Sequence, residues 1–454
     1  MRSTAPGRLV GNGVPSELPF FIGLINCQTV LHDVAKALEN TACFDLRLAI
    51  ISGTSKIIES FTASDPGNIA IQRELSVARD LIGDLLLEQG DLHSALAAYQ
   101  EALSIRASLT ANPSLVTTPY FEIFQRDLAV GHVKVGDVFA EQGLIQDAIQ
   151  SYQAAHEILI KHPPTTVEFG IDLSVSHERI GKLMLQTGNL NGALNSFKAS
   201  FEVAERCALA DPSNTSLQRT LSISHSHLGD VLRHKGDLNG ARREYHASLA
   251  IDQRLIATDP AVNLWQHDLS SVLLHLSDIQ MELGELHVAE QSVRTALEIL
   301  QHLADADWET LDKMYGLSVC NSHLARVLKS QGRLQAAELA SSAALEFSKG
   351  IAAGAPENPR YQHQLALSLS CLGDLRVRQS DDAGALTLYM SALSVSGKLS
   401  TISHSNLEWQ RTLWLTHYHI ASLLAGCEDS SADTHYRQAY EIIFGTKRRG
   451  FLPD

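Results

Sequence analysis

From Leu221 to Ser248 apolar and small residues return with a helical rhythm. Leu221, His225, Leu228 and Leu232 fall at i, i+4, i+7 and i+11, one face of a helix. After Gly236 and Asp237, the residues Leu238, Ala241, Tyr245 and Ser248 mark a second face of the same period. The pattern predicts two helices, A and B, each burying its stripe. Gly236 stands where a helix end needs positive φ, and Asp237 is placed to cap the helix that follows.

This phrase is one copy of several. A leucine opens each unit at Leu75, Leu128, Leu173, Leu221, Leu269, Leu317, Leu365 and Leu413, and from Leu173 onward the step is always 48 residues. Eight residues later comes a small residue (Gly83, Gly136, Gly181, Gly229, Ser277, Ala325, Gly373, Ala421). Fifteen later, six units carry a second glycine (Gly90, Gly143, Gly188, Gly236, Gly284, Gly332). An alanine follows in the first seven units, and an aromatic ring sits at the Tyr245 position in Tyr99, Tyr152, Phe197, Tyr389 and Tyr436. The small residues let A and B approach closely while the ring fills the space beside them. Linkers such as "TASDPGN", "ADPSN" and "TDPAVN" stop one pair with proline, and their Asn or Ser can cap the next. Aromatics four residues ahead of the leucine (Phe124, Phe169, Trp265, Tyr361, Trp409) are expected to pack each helix A on the preceding helix B.

A chain of 454 residues would suggest about three domains from length alone, but a fixed internal period implies one extended array. We expect residues 1–26 to be disordered, 27–69 to form a degenerate capping repeat, 70–445 to hold eight units, and 446–454 to be a tail. With 44% apolar and 19% charged residues, a continuous core is affordable in composition. The formal net charge of -15 disfavours nucleic acid as a partner, since phosphate binding needs a basic stripe and only Arg242-Arg243 and Lys447-Arg448-Arg449 approach one. Six dispersed cysteines without C-x-x-C spacing read as thiols of a reducing, cytoplasmic compartment. The apolar run Leu18–Cys27 is too short to span a membrane and a poor signal peptide, so no membrane association is expected.

No phosphate loop, nucleophile elbow, H-E-x-x-H or kinase-type catalytic loop occurs, so we expect no enzyme, no cofactor and no metal. The four histidines His132, His177, His225 and His417, four residues into their units, are expected to pack between helices.

The spacing of small residue, alanine, aromatic and alanine resembles the tetratricopeptide repeat, with Ile82, Gly83, Ala95, Tyr99 and Ala102 at that family's leucine, glycine, alanine, aromatic and alanine positions. The period of 48 is longer than the family's usual one and is closer to the elongated repeats of kinesin-light-chain-like and bacterial signalling proteins. The resemblance implies an all-α, right-handed superhelical solenoid of antiparallel helix pairs. It also implies a concave groove lined by the second, fifth, sixth, ninth and twelfth residues after each leading leucine. The ninth position reads Asp84, Asp137, Lys182, Asp230, Asp278, Arg326, Asp374 and Ser422; the sixth includes His227, His275 and His323. His227 with Asp230, and His275 with Asp278, lie three apart on one helix face and can interact.

Asp84, Asp137, His227, Asp230, His275, Asp278, His323, Arg326 and Asp374 are therefore the candidate partner-binding residues. Three readings of this ladder stand open: a polar face repeated by duplication, a peptide groove whose affinity follows histidine protonation, and a metal site, for which the ligands are widely dispersed. The family's carboxylate clamp is not matched, because Asp80 and Asp84 occupy its first positions. Two functions follow from the resemblance: an adaptor holding a basic or neutral protein or peptide segment in its groove, or the sensor arm of a larger signalling enzyme. The oligomeric state is not written in the sequence.

Overall fold

The computed structural model describes residues 44–118, 120–161, 166–306 and 311–448. The expectations for residues 1–43, including the Leu18–Cys27 run, Cys27 and Cys43, lie outside the described residues. Among those described there are only helices: α1 Phe44–Ser64, α2 Ile69–Glu88, α3 Leu92–Thr110, α4 Phe121–Glu141, α5 Ile145–Leu159, α6 Val167–Gln186, α7 Leu190–Ala210, α8 Thr215–His234 and α9 Leu238–Thr258. They continue as α10 Asn263–Glu282, α11 Leu286–Ala306, α12 Leu311–Ser330, α13 Leu334–Gly354, α14 Pro359–Arg378, α15 Asp382–Ile402, α16 Leu407–Gly426 and α17 Ala432–Arg448. From α2 onward they pair as A and B helices, giving units 1 (α2, α3) to 8 (α16, α17), each packed on the next. The architecture is an all-α solenoid.

The turn chemistry produces this register. Gly90, Gly143, Gly188, Gly236, Gly284 and Gly332 all have φ between 74° and 82°, and in units 7 and 8 Ser380 and Glu428 take the same left-handed conformation at 62° and 59°. Asp91, Asn189, Asp237 and Asp381 then accept a backbone N–H at the start of their B helices, as Asp237 does from Gly240 at 2.8 Å. Asn68, Asn214, Asn358 and Asn406 cap A helices in the same way. The "TDPAVN" linker departs from the expectation: Asn263 is already helical, and Val262 precedes it without a side-chain cap.

The first glycine of a unit has a different role. A β-carbon on Gly83, Gly136, Gly181, Gly229 or Gly373 would lie 2.5–2.7 Å from the ring of Tyr99, Tyr152, Phe197, Tyr245 or Tyr389. Where helix B carries Val293 or Ser341 instead of a ring, the A position is Ser277 or Ala325 rather than glycine, whereas unit 8 combines Tyr436 with Ala421. The aromatics ahead of the leading leucine are buried as expected: Phe169 packs on Ala155 and Leu159, Trp265 on Ile251 and Leu255, and Tyr361 on Ile351 and Ala355.

The predicted stripe of helix A is only partly right. Leu228 is buried, but Leu221, His225 and Leu232 are half-buried, while Ser222, Ser224, Ser226 and Gly229 form the tightest seam. Each A helix is wedged between its own B helix and its neighbours, so its closest contacts use small residues. The serine hydroxyls there bond one another: Ser222 and Ser226 each lie 2.8 Å from Ser248, and Ser174 lies 2.9 Å from Ser200.

The array also curls onto itself. The turn glycines of units 1 and 2 abut the loop leading into unit 7 and the first turn of α16 in unit 8: a β-carbon at Gly90 would be 2.7 Å from that of Ala355, and one at Gly143 would enter the Trp409 ring. Beside this seam Arg360 lies 4.1 Å over the Tyr315 ring and donates to Asp312 at 3.3 Å. Burial there pushes the Glu141 carboxyl above its usual range, with the Arg360 charge pulling the other way. At the opposite end, α1 places Ile51 and Ile58 against Ile71 and Ala78 of α2. Among the described residues no helix is long and apolar enough to cross a membrane.

Candidate functional site

Each ninth-position aspartate is held from two directions. Within its own unit it accepts the phenol of the helix B tyrosine: Tyr99 to Asp84 and Tyr152 to Asp137 at 2.6 Å, Tyr245 to Asp230 at 2.7 Å, and Tyr389 to Asp374 at 2.8 Å. From the next unit it meets the sixth-position side chain: Lys134 at 2.7 Å from Asp84, Arg179 at 2.7 Å from Asp137, His275 at 3.2 Å from Asp230, His323 at 3.3 Å from Asp278, and His419 at 3.3 Å from Asp374. Asp278, whose helix B has no tyrosine, takes Arg233 at 2.8 Å and also Arg326.

The ladder therefore runs between repeats. The expected pair His227 and Asp230 is present at 3.4 Å, but His275 reaches back to Asp230 rather than forward to Asp278. The reason is geometric: stacking brings the sixth position of one unit over the ninth of the previous one, closer than two residues of one helix whose side chains both lean toward its N-terminus. Unit 3 inverts the pattern. Lys182 replaces the aspartate, Phe197 replaces the tyrosine, and Glu178 instead receives Lys182 at 2.8 Å and His227 at 3.1 Å.

Titration follows from this packing. Burial would raise the carboxyls of Asp230 and Asp278, but the facing His275 and His227, and for Asp278 His323, Arg326 and Arg233, hold both well below the usual carboxylate range. Burial lowers His323 despite Asp278. Of the four packed histidines, His132 is lowered by burial, and His177 and His417 fall to about 4 through burial and the neighbouring His156 and His435. His225 bonds Glu244 at 2.7 Å.

A second ladder escaped the sequence reading. Arg73, Arg126 and Arg219, two residues ahead of their leucines, pair at 2.5–2.6 Å with Asp127, Asp172 and Asp268, one residue ahead of the next. The signal was visible as Arg and Asp recurring at those two offsets.

The concave face opens into a cavity of about 560 Å³ across units 6 to 8. Its wall carries Arg326, Lys329, Leu367, Cys371, Asp374 and His419, all at the five groove positions. Of the candidate residues it gathers Arg326 and Asp374. Asp84 and Asp137, in units 1 and 2, lie apart from it, and His227, Asp230, His275, Asp278 and His323 belong to the interlocked rungs. No cluster that could hold a metal exists among the described residues, and the thiols of Cys207, Cys320, Cys371 and Cys427 are free.

A tetratricopeptide-repeat family model matches residues 78–109, the second half of α2, its glycine turn and α3. Residues 78–109 are a tetratricopeptide repeat. The remaining units repeat the register of that matched segment at the positions described above. No curated protein matches the sequence. Among solved structures, the apo form of RapI is similar over 94% of this chain and 98% of its own, with 12% identity and a TM-score of 0.52. The Rap conjugation gene regulator of plasmid pLS20, solved in complex with the Phr* peptide, aligns over 96% of this chain and 98% of its own at 12% identity and a TM-score of 0.52. BtubC from P. vanneervenii covers 57% of this chain and 92% of its own at 17% identity, with a TM-score of 0.44. At these identities the likeness is one of fold.

Proposed function

We propose that this tetratricopeptide-repeat solenoid is an interaction scaffold that binds a segment of a partner protein in its concave groove, at units 6 to 8. The observation that carries the reading is the cavity of about 560 Å³ with groove positions in its wall, among them Leu367, 40% exposed, beside charged rungs. An exposed apolar residue ringed by hydrogen-bonding groups is what a peptide side chain needs for burial and orientation. The pLS20 regulator, of the same fold, is a structure with a bound peptide, which supports the reading.

The interlocking of the rungs alters the expected selectivity. Asp84, Asp137, Asp230, Asp278 and Asp374 each already face a cation or imidazole of this chain, so their charge is largely spent internally. The groove would recognise a partner by shape and apolar contact more than by a basic character.

Selection of a random peptide library on the full chain tests this. Enriched peptides should bind the wild type, and Leu367→Arg should abolish binding without lowering helicity. Peptides that bind the variant equally, or no enrichment at all, would remove the groove as the site.

A further inference from the structure

Where the array completes a turn, the C-terminal ends of α4 and α6 face the N-terminal ends of α14 and α16 across a second cavity of about 500 Å³. It shares His363 and Glu408 with the groove cavity, and the rest of its wall is its own. Its polar groups are unevenly matched.

The cations are already engaged. Arg179 pairs with Asp137 at 2.7 Å, Lys182 with Glu178 at 2.8 Å, and Arg360 donates to Asp312 at 3.3 Å. The facing helix ends are engaged too, since Asn358 and Asn406 cap the first N–H groups of α14 and α16. What is left over is acceptors. Glu141, the last residue of α4, makes no hydrogen bond or ion pair among the described residues. Gln186, the last residue of α6, has its side-chain Oε1 buried without a hydrogen-bond partner. Both stand thirteen residues after their leading leucine, and at that register Glu88 pairs with Arg47 at 3.1 Å and Glu282 with Arg233 at 2.8 Å. There the carboxylate is answered by an arginine; at Glu141 it is not. The C-terminal carbonyls of α4 and α6 add negative potential on the same wall. Burial pushes the Glu141 carboxyl above its usual range, because the charges around it come as opposed pairs, Arg360 against Asp312 and Arg179 against Asp137. A cation held in the cavity would supply the charge this carboxylate lacks.

We propose that this inter-turn cavity binds a small organic cation, an alkylammonium group whose N–H donors are taken by Glu141 and Gln186 and whose methylenes lie along the Trp409 ring. Two sources carry that group, a free polyamine and a lysine side chain of a bound segment, and the test separates them.

The full chain is titrated calorimetrically with spermidine, with N-acetyl-lysine amide and with succinate. At least one amine should bind saturably at one site per chain, and succinate should not. Spermidine alone identifies a free polyamine; the blocked lysine identifies a partner's side chain. Glu141→Gln keeps the shape and removes the charge, and should weaken binding about tenfold or more, the scale of losing a charge-assisted hydrogen bond. Gln186→Leu should also weaken it, and decides the matter if circular dichroism shows Glu141→Gln to be unfolded. With a net charge of -15 the chain also attracts amines loosely, so Glu202→Gln, at an exposed carboxylate of α7, is the control and should change nothing. Leu367→Arg should leave amine binding intact, which lets the two cavities fail separately. Absence of saturable binding by either amine, binding of succinate in their place, or equal effects of Glu141→Gln and Glu202→Gln would overturn the proposal.

Discussion

Tyr245 offers the sharpest test of the inter-repeat rungs. Its ring is fully buried, its hydroxyl donates to Asp230 at 2.7 Å, and it stacks on His275 with centroids 5.2 Å apart. Tyr245→Phe keeps the ring and removes only the hydroxyl. A hydrogen bond to a charged acceptor contributes about 1.5–3 kcal/mol, and because Asp230 retains His227 and His275 the loss should fall at the low end, about 1.5 kcal/mol. Tyr245→Ala also leaves a cavity and should cost about 3–5 kcal/mol. If the hydroxyl acts through Asp230, the pair Tyr245→Phe and Asp230→Asn will not be additive, with a coupling of about 1 kcal/mol. Urea unfolding followed by circular dichroism gives the global values. Hydrogen exchange at α8 and α9 gives the local ones, needed because a stacked array can open unit by unit. Additivity within about 0.3 kcal/mol would show that the contact is geometrically present but energetically idle.

Other perturbations probe separate parts of the account. Gly236 has φ 82° with open space around it, so Gly236→Val should cost at least about 1–2 kcal/mol from backbone conformation alone, and an unchanged urea midpoint would refute this. His177 and His417 are held neutral with pKa values near 4, below an unfolded value of about 6.5. Their contribution is present above about pH 6.5 and is lost as pH falls toward 4, so His177→Leu should flatten the acid limb of the melting temperature against pH. Asp252 has the opposite sign: burial raises it to about 7, and the stability this carries is lost as pH rises through that value. Asp252→Asn should therefore gain on wild type as pH rises from about 4 to about 7, and a constant difference would contradict the assignment. Deleting one 48-residue unit should leave a folded chain while deleting 24 residues should not, and equal melts would exclude the register.

Much of this was legible in one sequence because a repeat displays the same constraint several times. The second glycine of each unit marked a left-handed turn, and all six adopt it. The packed histidines and the aromatics ahead of each leucine also sit as their neighbours implied. The Asp–Tyr bond was legible and missed: Asp84 and Tyr99, Asp137 and Tyr152, Asp230 and Tyr245, Asp374 and Tyr389 are all fifteen apart, and where Lys182 stands in place of the aspartate the ring is Phe197. Ring and carboxylate were read as separate features, one filling space and one lining a groove, when their spacing tied them together. The pairing of His275 with Asp230 was not legible, since it depends on how far one unit is rotated on the last. The contact of Gly90 with Ala355 is further out of reach, because it accumulates that rotation over six units.

The groove assignment is tested most directly by hydrogen exchange of the full chain with and without a library-selected peptide. The account predicts new protection in α14 and α16, around Leu367 to Asp374 and Leu415 to His419, with the outer faces of the B helices unchanged. Protection confined to those outer faces, or to α1, would contradict it.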